Sequence, residues 1–142
     1  MKYVIDASTG FKWEVAEPLS DKAQRLREGF RNLIHELSAP DLFPSEAANA
    51  FLVAERRGRI LPGQGLVFLA DLFTTLPRLH PSFPDLLPRA YAIASATQAS
   101  VYDCLYVALA EREGCELITA DDKLVNRLQS QFPFIVPLAS LP

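Results

Sequence analysis

Apolar and polar positions along the chain follow two rhythms. Residues 2–6 (KYVID), 116–119 (ELIT) and 134–138 (FIVPL) are short, nearly continuous apolar runs. In the first run, continuity without alternation predicts a strand covered on both faces, hence parallel and central; the other two read as further short strands. Between them, apolar positions recur at helical spacing. Ala23, Leu26, Phe30, Leu33, Ile34 and Leu37 fall on one face of a predicted helix over 21–37, capped by Ser20 and weakened by Gly29. After a turn at 7–10, a short helix is expected over 11–17, stopping near Pro18. Residues 38–43 (SAPDLF) predict a strand with Pro40 near its start. Pro44 then opens a helix over 45–58 that ends on Gly58. A loop at 60–63, a helix over 65–76, a strand near Arg78 and a helix over 84–99 follow, Pro88 standing in the last helix's first turn or breaking it. A helix running from Asp103 to Gly114 and another over 122–131 complete the pattern. Strands alternating with helices predict a single α/β domain over 1–142 with a parallel sheet. Right-handed crossovers place the turns after the strands on one common edge.

Four acids map to that edge: Asp6 after the first strand, Glu46 opening the third long helix, Asp103 opening a later one, and Asp121 after the strand at 116–119. Each has an ordinary explanation. Ser100 to Asp103 reads as a capping box, and Glu46 complements a helix dipole. Thr119 to Asp122 is another capping box, which leaves Asp121 free to face the cleft. Asp6, ending a buried strand, is poorly solvated unless something pairs with it. Together, four crowded carboxylates would repel and take up protons without a cation. Carboxylates without His or Cys suit Mg²⁺, with Mn²⁺ as a possible substitute, rather than Zn²⁺. Ser8 and Thr119 can orient a carboxylate or a water, or serve turn chemistry. Asn49, near Glu46 on one helix face, can reach across the site or be solvated.

The net charge of −3 gives no global attraction for nucleic acid, so a polyanion needs a local basic patch or metal. Lys12 and Lys123 follow acidic turns and are candidate phosphate contacts. The run Arg56-Arg57-Gly58-Arg59 reads as a basic helix C-terminus. Trp13 and Tyr102 could stack on bases or pack in the core. His35 and His80 lie away from the turns. Cys104 and Cys115 give no disulfide framework. With no signal peptide or long apolar run, a cytoplasmic protein free of the membrane is expected.

VIDASTGFKWEVAEP, PSEAANAF and YDCLYVALAEREGCELITADDKL, in that order, resemble the successive motifs of the PIN-domain family, and most of all the VapC-type toxin ribonucleases. The resemblance implies a five-stranded, mainly parallel sheet in a three-layer α/β/α sandwich. It also implies acid ligands at Asp6, Glu46, Asp103 and Asp121, supported by Thr119 and Ser8. RNA as substrate, a homodimer and a cognate antitoxin belong to the same implication. The expected chemistry is metal-assisted hydrolysis of RNA leaving a 5′-phosphate. Asp6 and Asp103 would hold the main ion; Glu46 and Asp121 would hold a second ion or bound waters. Two readings compete. A haloacid-dehalogenase-like enzyme would want a second Asp where Ser8 stands, and a receiver domain would want its acid pair after the first strand. The alternative within the family is a catalytically weak PIN-like module that binds RNA or a protein partner.

Overall fold

The computed structural model describes all of residues 1–142. Five strands, β1 (Lys2–Ile5), β2 (Glu36–Pro40), β3 (Arg78–His80), β4 (Glu116–Thr119) and β5 (Ile135–Pro137), form one parallel sheet in the order β3-β2-β1-β4-β5. Val4 registers with Ser38 on one side and Leu117 on the other, so β1 is the central strand. Val4, Ile5, Leu117 and Ile118 are wholly buried, as runs without alternation require.

The helices are α1 (Ala7–Glu14), α2 (Ser20–Arg31), α3 (Phe43–Arg56), α4 (Gln64–Phe73), α5 (Leu86–Thr97), α6 (Val101–Glu113) and α7 (Asp122–Leu128). Helices α1 to α4 pack on one another, and α5 packs along α6. With the sheet between helical layers, the molecule is a three-layer α/β/α sandwich. Helix α6 is buried without interruption from Cys104 to Ala110, which is why its sequence is apolar on every side. Ser100 caps its start, its Oγ accepting from the Asp103 amide at 3.0 Å, and Gly114 ends it in the left-handed conformation at φ 63°. Helices α1 and α3 approach closely at Gly10. A Cβ there would stand 2.8 Å from the Phe43 ring, so the glycine lets the two helix starts converge on one edge.

Several boundaries differ from the periodicity. The strand expected over 38–43 runs over Glu36–Pro40, with Pro40 at its end rather than near its start. Helix α1 starts directly at Ala7 because the Asp6 side chain caps it, leaving no turn at 7–10. Its partner α2 begins after Leu19 rather than on a Ser20 cap, and stops at Arg31. Leu33 turns the chain at φ 58°; Leu33 and Ile34 are exposed, while Leu37 is buried in β2 instead of on a helix face. Helical spacing ran on by coincidence through a turn. The end of α2 is held by His35, whose Nε2 lies 2.8 Å from the Leu26 carbonyl oxygen and whose ring abuts Gly29. Pro44 and Pro88 both sit in first helical turns, where the missing N–H costs nothing.

Candidate functional site

Strand order reverses between β1 and β4: the chain proceeds from β1 through β2 to β3, then crosses back to β4 and β5. At such a switch point the two connections leave in opposite directions and open a crevice beyond the strands' carboxyl ends. Asp6 follows β1 at this crevice, and Thr119 and Asp121 follow β4.

Asp6 is buried and held entirely by neutral donors. Its Oδ1 accepts from Ser8 Oγ at 2.6 Å and from the Thr9 amide at 3.2 Å; its Oδ2 accepts from Thr119 Oγ1 at 2.5 Å. The same hydroxyls tie the two turns together. Ser8 Oγ accepts from the Ala120 amide at 3.1 Å, and Thr119 Oγ1 accepts from the Asp121 amide at 3.0 Å. Ser8 and Thr119 therefore orient the Asp6 carboxylate and fix its distance from the β4 turn. Thr9, not singled out from the sequence, adds its amide and bridges to the Ile118 carbonyl with its hydroxyl at 3.3 Å.

Glu46 stands in the first turn of α3 and accepts from the buried Tyr106 hydroxyl at 2.6 Å. Tyr106 escaped sequence reasoning. The available signal was its spacing, three residues after Asp103 and hence on the same face of α6. Burial, followed by the Glu46 charge, pushes the tyrosine pKa far up, so its hydroxyl keeps its proton and donates. Asp103 is half-buried in the first turn of α6. Asp121 corrects the expectation that it hangs free. Its own carboxylate caps α7, accepting from the Lys123 amide at 3.0 Å and from the Leu124 amide, while Asp122 is the first residue of the helix. Thr119 is drawn to Asp6, so the capping duty moves two residues forward, to Asp121.

The four acids form a closed circuit of repulsion. Burial first, and then the neighbouring charges, push three carboxyls above their usual values: Asp6 feels Asp121, Asp103 feels Asp121, and Glu46 feels Asp103 and Asp6. Only Arg127, acting on Asp103, opposes the repulsion with a positive charge. The donor set is all oxygen and fits a hard divalent cation. No three acidic, His or Cys side chains converge into a ready cage, so the ring is wider than one coordination sphere. That width fits an ion that keeps several waters and takes only one or two carboxylates.

The remaining predicted residues divide. Asn49 is exposed on the rim of a shallow cavity shared with Glu46 and Tyr102, and makes no side-chain hydrogen bond. Lys123 is exposed at the start of α7. Lys12 is not a free cation: its Nζ lies 2.8 Å from Glu17 Oε1 and 2.9 Å from the Pro18 carbonyl oxygen. Trp13 is core, its indole N–H donating to the Ala23 carbonyl at 2.9 Å, and Tyr102 is exposed. His35 and His80 lie apart from the acids, His80 against Arg112 and Ser38. Both cysteines are free thiols. No helix is long and apolar enough to cross a membrane.

Comparison with known proteins meets this geometry from the other side. The sequence profile of the PIN domain matches residues 3–128. The chain is 34% identical over 138 residues to ribonuclease VapC3 of Pyrobaculum aerophilum, covering 96% of this chain and 98% of the relative. The crystal structure of PAE2754 from Pyrobaculum aerophilum superposes with a TM-score of 0.71 at 22% identity, covering 99% of this chain and 94% of that one. Mycobacterium tuberculosis VapC20, a sarcin–ricin loop cleaving toxin, superposes with a TM-score of 0.61 at 14% identity, covering 87% and 93%. At those identities the two structures speak to the fold, whereas the profile and the ribonuclease relative carry the kinship: the chain belongs to the PIN-domain family.

Proposed function

We propose that the protein is a divalent-metal-dependent endoribonuclease that acts as the toxin of a toxin–antitoxin pair. The observation that carries this reading is the circuit of four carboxylates at the switch point, bound by neutral donors and by no stoichiometric cation of its own. Kinship to a ribonuclease of VapC type supports RNA as the substrate.

Asp6 and Asp103 would hold the main ion, Mg²⁺ or Mn²⁺, with Glu46 and Asp121 holding a second or the waters around the first. When bound, such an ion offsets charge on the phosphoryl oxygens and acidifies a water. The chain's own residues do the positioning. Ser8, Thr9 and Thr119 fix the orientation of Asp6 before any ligand arrives, so little ordering entropy is lost on binding. Tyr106 fixes Glu46 in the same way from beneath. An antitoxin partner and a homodimer are part of the same proposal, the first supported by the likeness to a VapC ribonuclease. The exposed apolar side chains of α4, Leu66, Val67 and Phe73, support a protein contact of that kind.

The test uses purified protein and a mixed RNA pool. Mg²⁺ is expected to give new 5′-phosphate ends, EDTA to suppress them and Mn²⁺ to restore them. RNA that is bound but left intact with every divalent ion would favour the weakly catalytic binding module instead. Expression of the chain alone is expected to arrest growth of the host, with relief by the neighbouring gene; normal growth with abundant folded protein would remove the toxin assignment.

A further inference from the structure

A groove of about 450 Å³ leads away from the acids. Ser8 and Glu46 line it at the catalytic edge, and Lys12, Glu17, Arg57 and Arg59 line it farther out. Its floor is apolar, formed in part by Phe11 and Ala50. The outer end is therefore a basic patch that shares one groove with two residues of the acidic edge, in a chain whose net charge is −3.

The charges at that end do not balance. Glu17 is shared by two cations: Lys12 Nζ sits 2.8 Å from Oε1, and Arg59 Nη2 sits 2.8 Å from Oε2. Burial pushes the Glu17 carboxyl up, but these two hydrogen bonds outweigh it and hold the group below its usual value, so it stays charged. Arg59 also stands over the Phe11 ring, 5.7 Å from its centroid, which fixes the guanidinium against the floor. Arg57 is exposed at the end of α3 and takes part in no ion pair. One carboxylate thus faces three cations, which leaves this end of the groove with an excess of positive charge and Arg57 without a partner. Complementing the α3 dipole accounts for a cation at Arg57. It does not account for Lys12, which is brought to the same groove from α1, nor for the pairing of Arg59 with Glu17.

We propose that Arg57 and Arg59, with Lys12 behind them, form a phosphate subsite that holds the RNA strand beside the bond to be cut. Glu17 is the brace that keeps Lys12 and Arg59 extended and apart. Planar guanidinium groups suit phosphate oxygens, and the continuous groove aligns the bound strand with the acids. Site choice along an RNA then depends partly on a phosphate contact away from the reacting one. This inference rests on the ribonuclease reading.

The experiment measures binding of a fluorescent single-stranded RNA to the full chain in EDTA, so that no strand is cut, across a range of salt. Wild type, R57A, R59A, R57A/R59A and the charge-preserving R57K/R59K are compared, with thermal melts to establish that each is folded. Each arginine removed is expected to weaken binding roughly tenfold, the size of one charge-assisted hydrogen bond. Each is also expected to shrink the slope of log affinity against log salt by about 0.7, the single-strand value per phosphate contact. The lysine pair should keep the slope and lose part of the affinity. Unchanged affinity and slope in R57A/R59A, with the wild type binding and cleaving RNA, would overturn the subsite and leave the nuclease reading standing. A wild type that neither binds nor cleaves RNA would sink both. Poly-L-glutamate serves as the probe for the other occupant. If R57A/R59A loses affinity for it while RNA binding is untouched, the groove takes an acidic peptide and the proposal fails.

Discussion

Carboxylates crowd together in two places in this molecule, and the two are solved differently. At the junction of α1, α2 and α4, Glu14 and Asp71 meet the buried Arg27. Arg27 Nη2 lies 3.0 Å from Glu14 Oε2 and 3.2 Å from Asp71 Oδ2, its Nε donates to Thr75 Oγ1 at 2.7 Å, and its guanidinium stands over the Trp13 ring. That cluster contains its own cation. The circuit of Asp6, Glu46, Asp103 and Asp121 has four acids and draws only hydroxyl and amide donors into contact. Buried like charges raise the free energy of the fold until something offsets them. Where the chain supplies the offset, the cluster is structural; where the chain withholds it, room is left for an ion from solution.

The comparison breaks most visibly at Asp6. Asp6→Asn keeps the shape and removes one charge from the circuit. Cleavage is expected to fall by roughly a thousandfold or more, the scale of several kcal/mol of lost charge stabilisation. The melting temperature should change little, the repulsion relieved offsetting the one acceptor that the amide nitrogen cannot replace. Full Mg²⁺-dependent activity in the purified variant would remove Asp6 from the ligand set. The opposite pattern is expected at the other cluster. Arg27→Met removes the buried cation and leaves Thr75 and the Asp71 carbonyl without their donor, and should cost about 1–3 kcal/mol in a denaturant titration, the scale of unsatisfied buried polar partners. A loss below about 1 kcal/mol would mean that Arg27 is dispensable there.

How much of this could be read beforehand follows from the range of each interaction. Strands β1 and β4 were legible because a fully buried strand has a composition of its own. All four acids stood at turns that the β/α alternation assigns to one edge, so their convergence needed only topology. The details that failed depend on contacts far apart in sequence. Asp121 caps α7 because Thr119, the cap its sequence pattern offered, is taken by Asp6 from 113 residues away. Lys12 looked free because Glu17 and Arg59 fold back onto it through a loop no periodicity describes. The Arg57–Gly58–Arg59 run read as a helix end, which it is, but its opening into the groove of Glu46 is a tertiary fact. Tyr106 sat in view on the Asp103 face, yet an apolar helix hides the hydroxyl that holds Glu46 among core residues.

A finer change sharpens the contrast between oriented and unoriented acids. Tyr106→Phe removes one hydroxyl from the core and frees Glu46 to rotate. Cation affinity, read as Mn²⁺ binding by calorimetry, is expected to weaken about 10–100-fold, as for other supports behind a ligand. Unaltered Mn²⁺ affinity would leave Tyr106 with packing alone.

The smallest expected effect concerns pH and belongs to the balanced cluster. Glu14 Oε2 is close to Arg27 but not aligned for a hydrogen bond with it. Burial, and then the hydrogen bond with Asp71, push the Glu14 carboxyl from 4.5 to about 7, outweighing the pull of Arg27. Asp71 moves the other way, lowered first by that same hydrogen bond. Glu14 therefore keeps its proton below about pH 7. The folded state binds more protons at Glu14 than the unfolded chain does, so its contribution is fully present below 4.5 and is lost as pH rises to about 7. Asp71 acts in a separate window, its contribution lost only as pH falls below the ordinary 3.8. Between 4.5 and 7 the slope belongs to Glu14 within this cluster. Glu14→Gln mimics the protonated form; stability measured by urea titration at several pH values should lose that component of its slope and match or exceed the wild type at pH 8. A variant with the wild-type pH profile would show that Glu14 is ionised in the fold, with Arg27 alone balancing both acids.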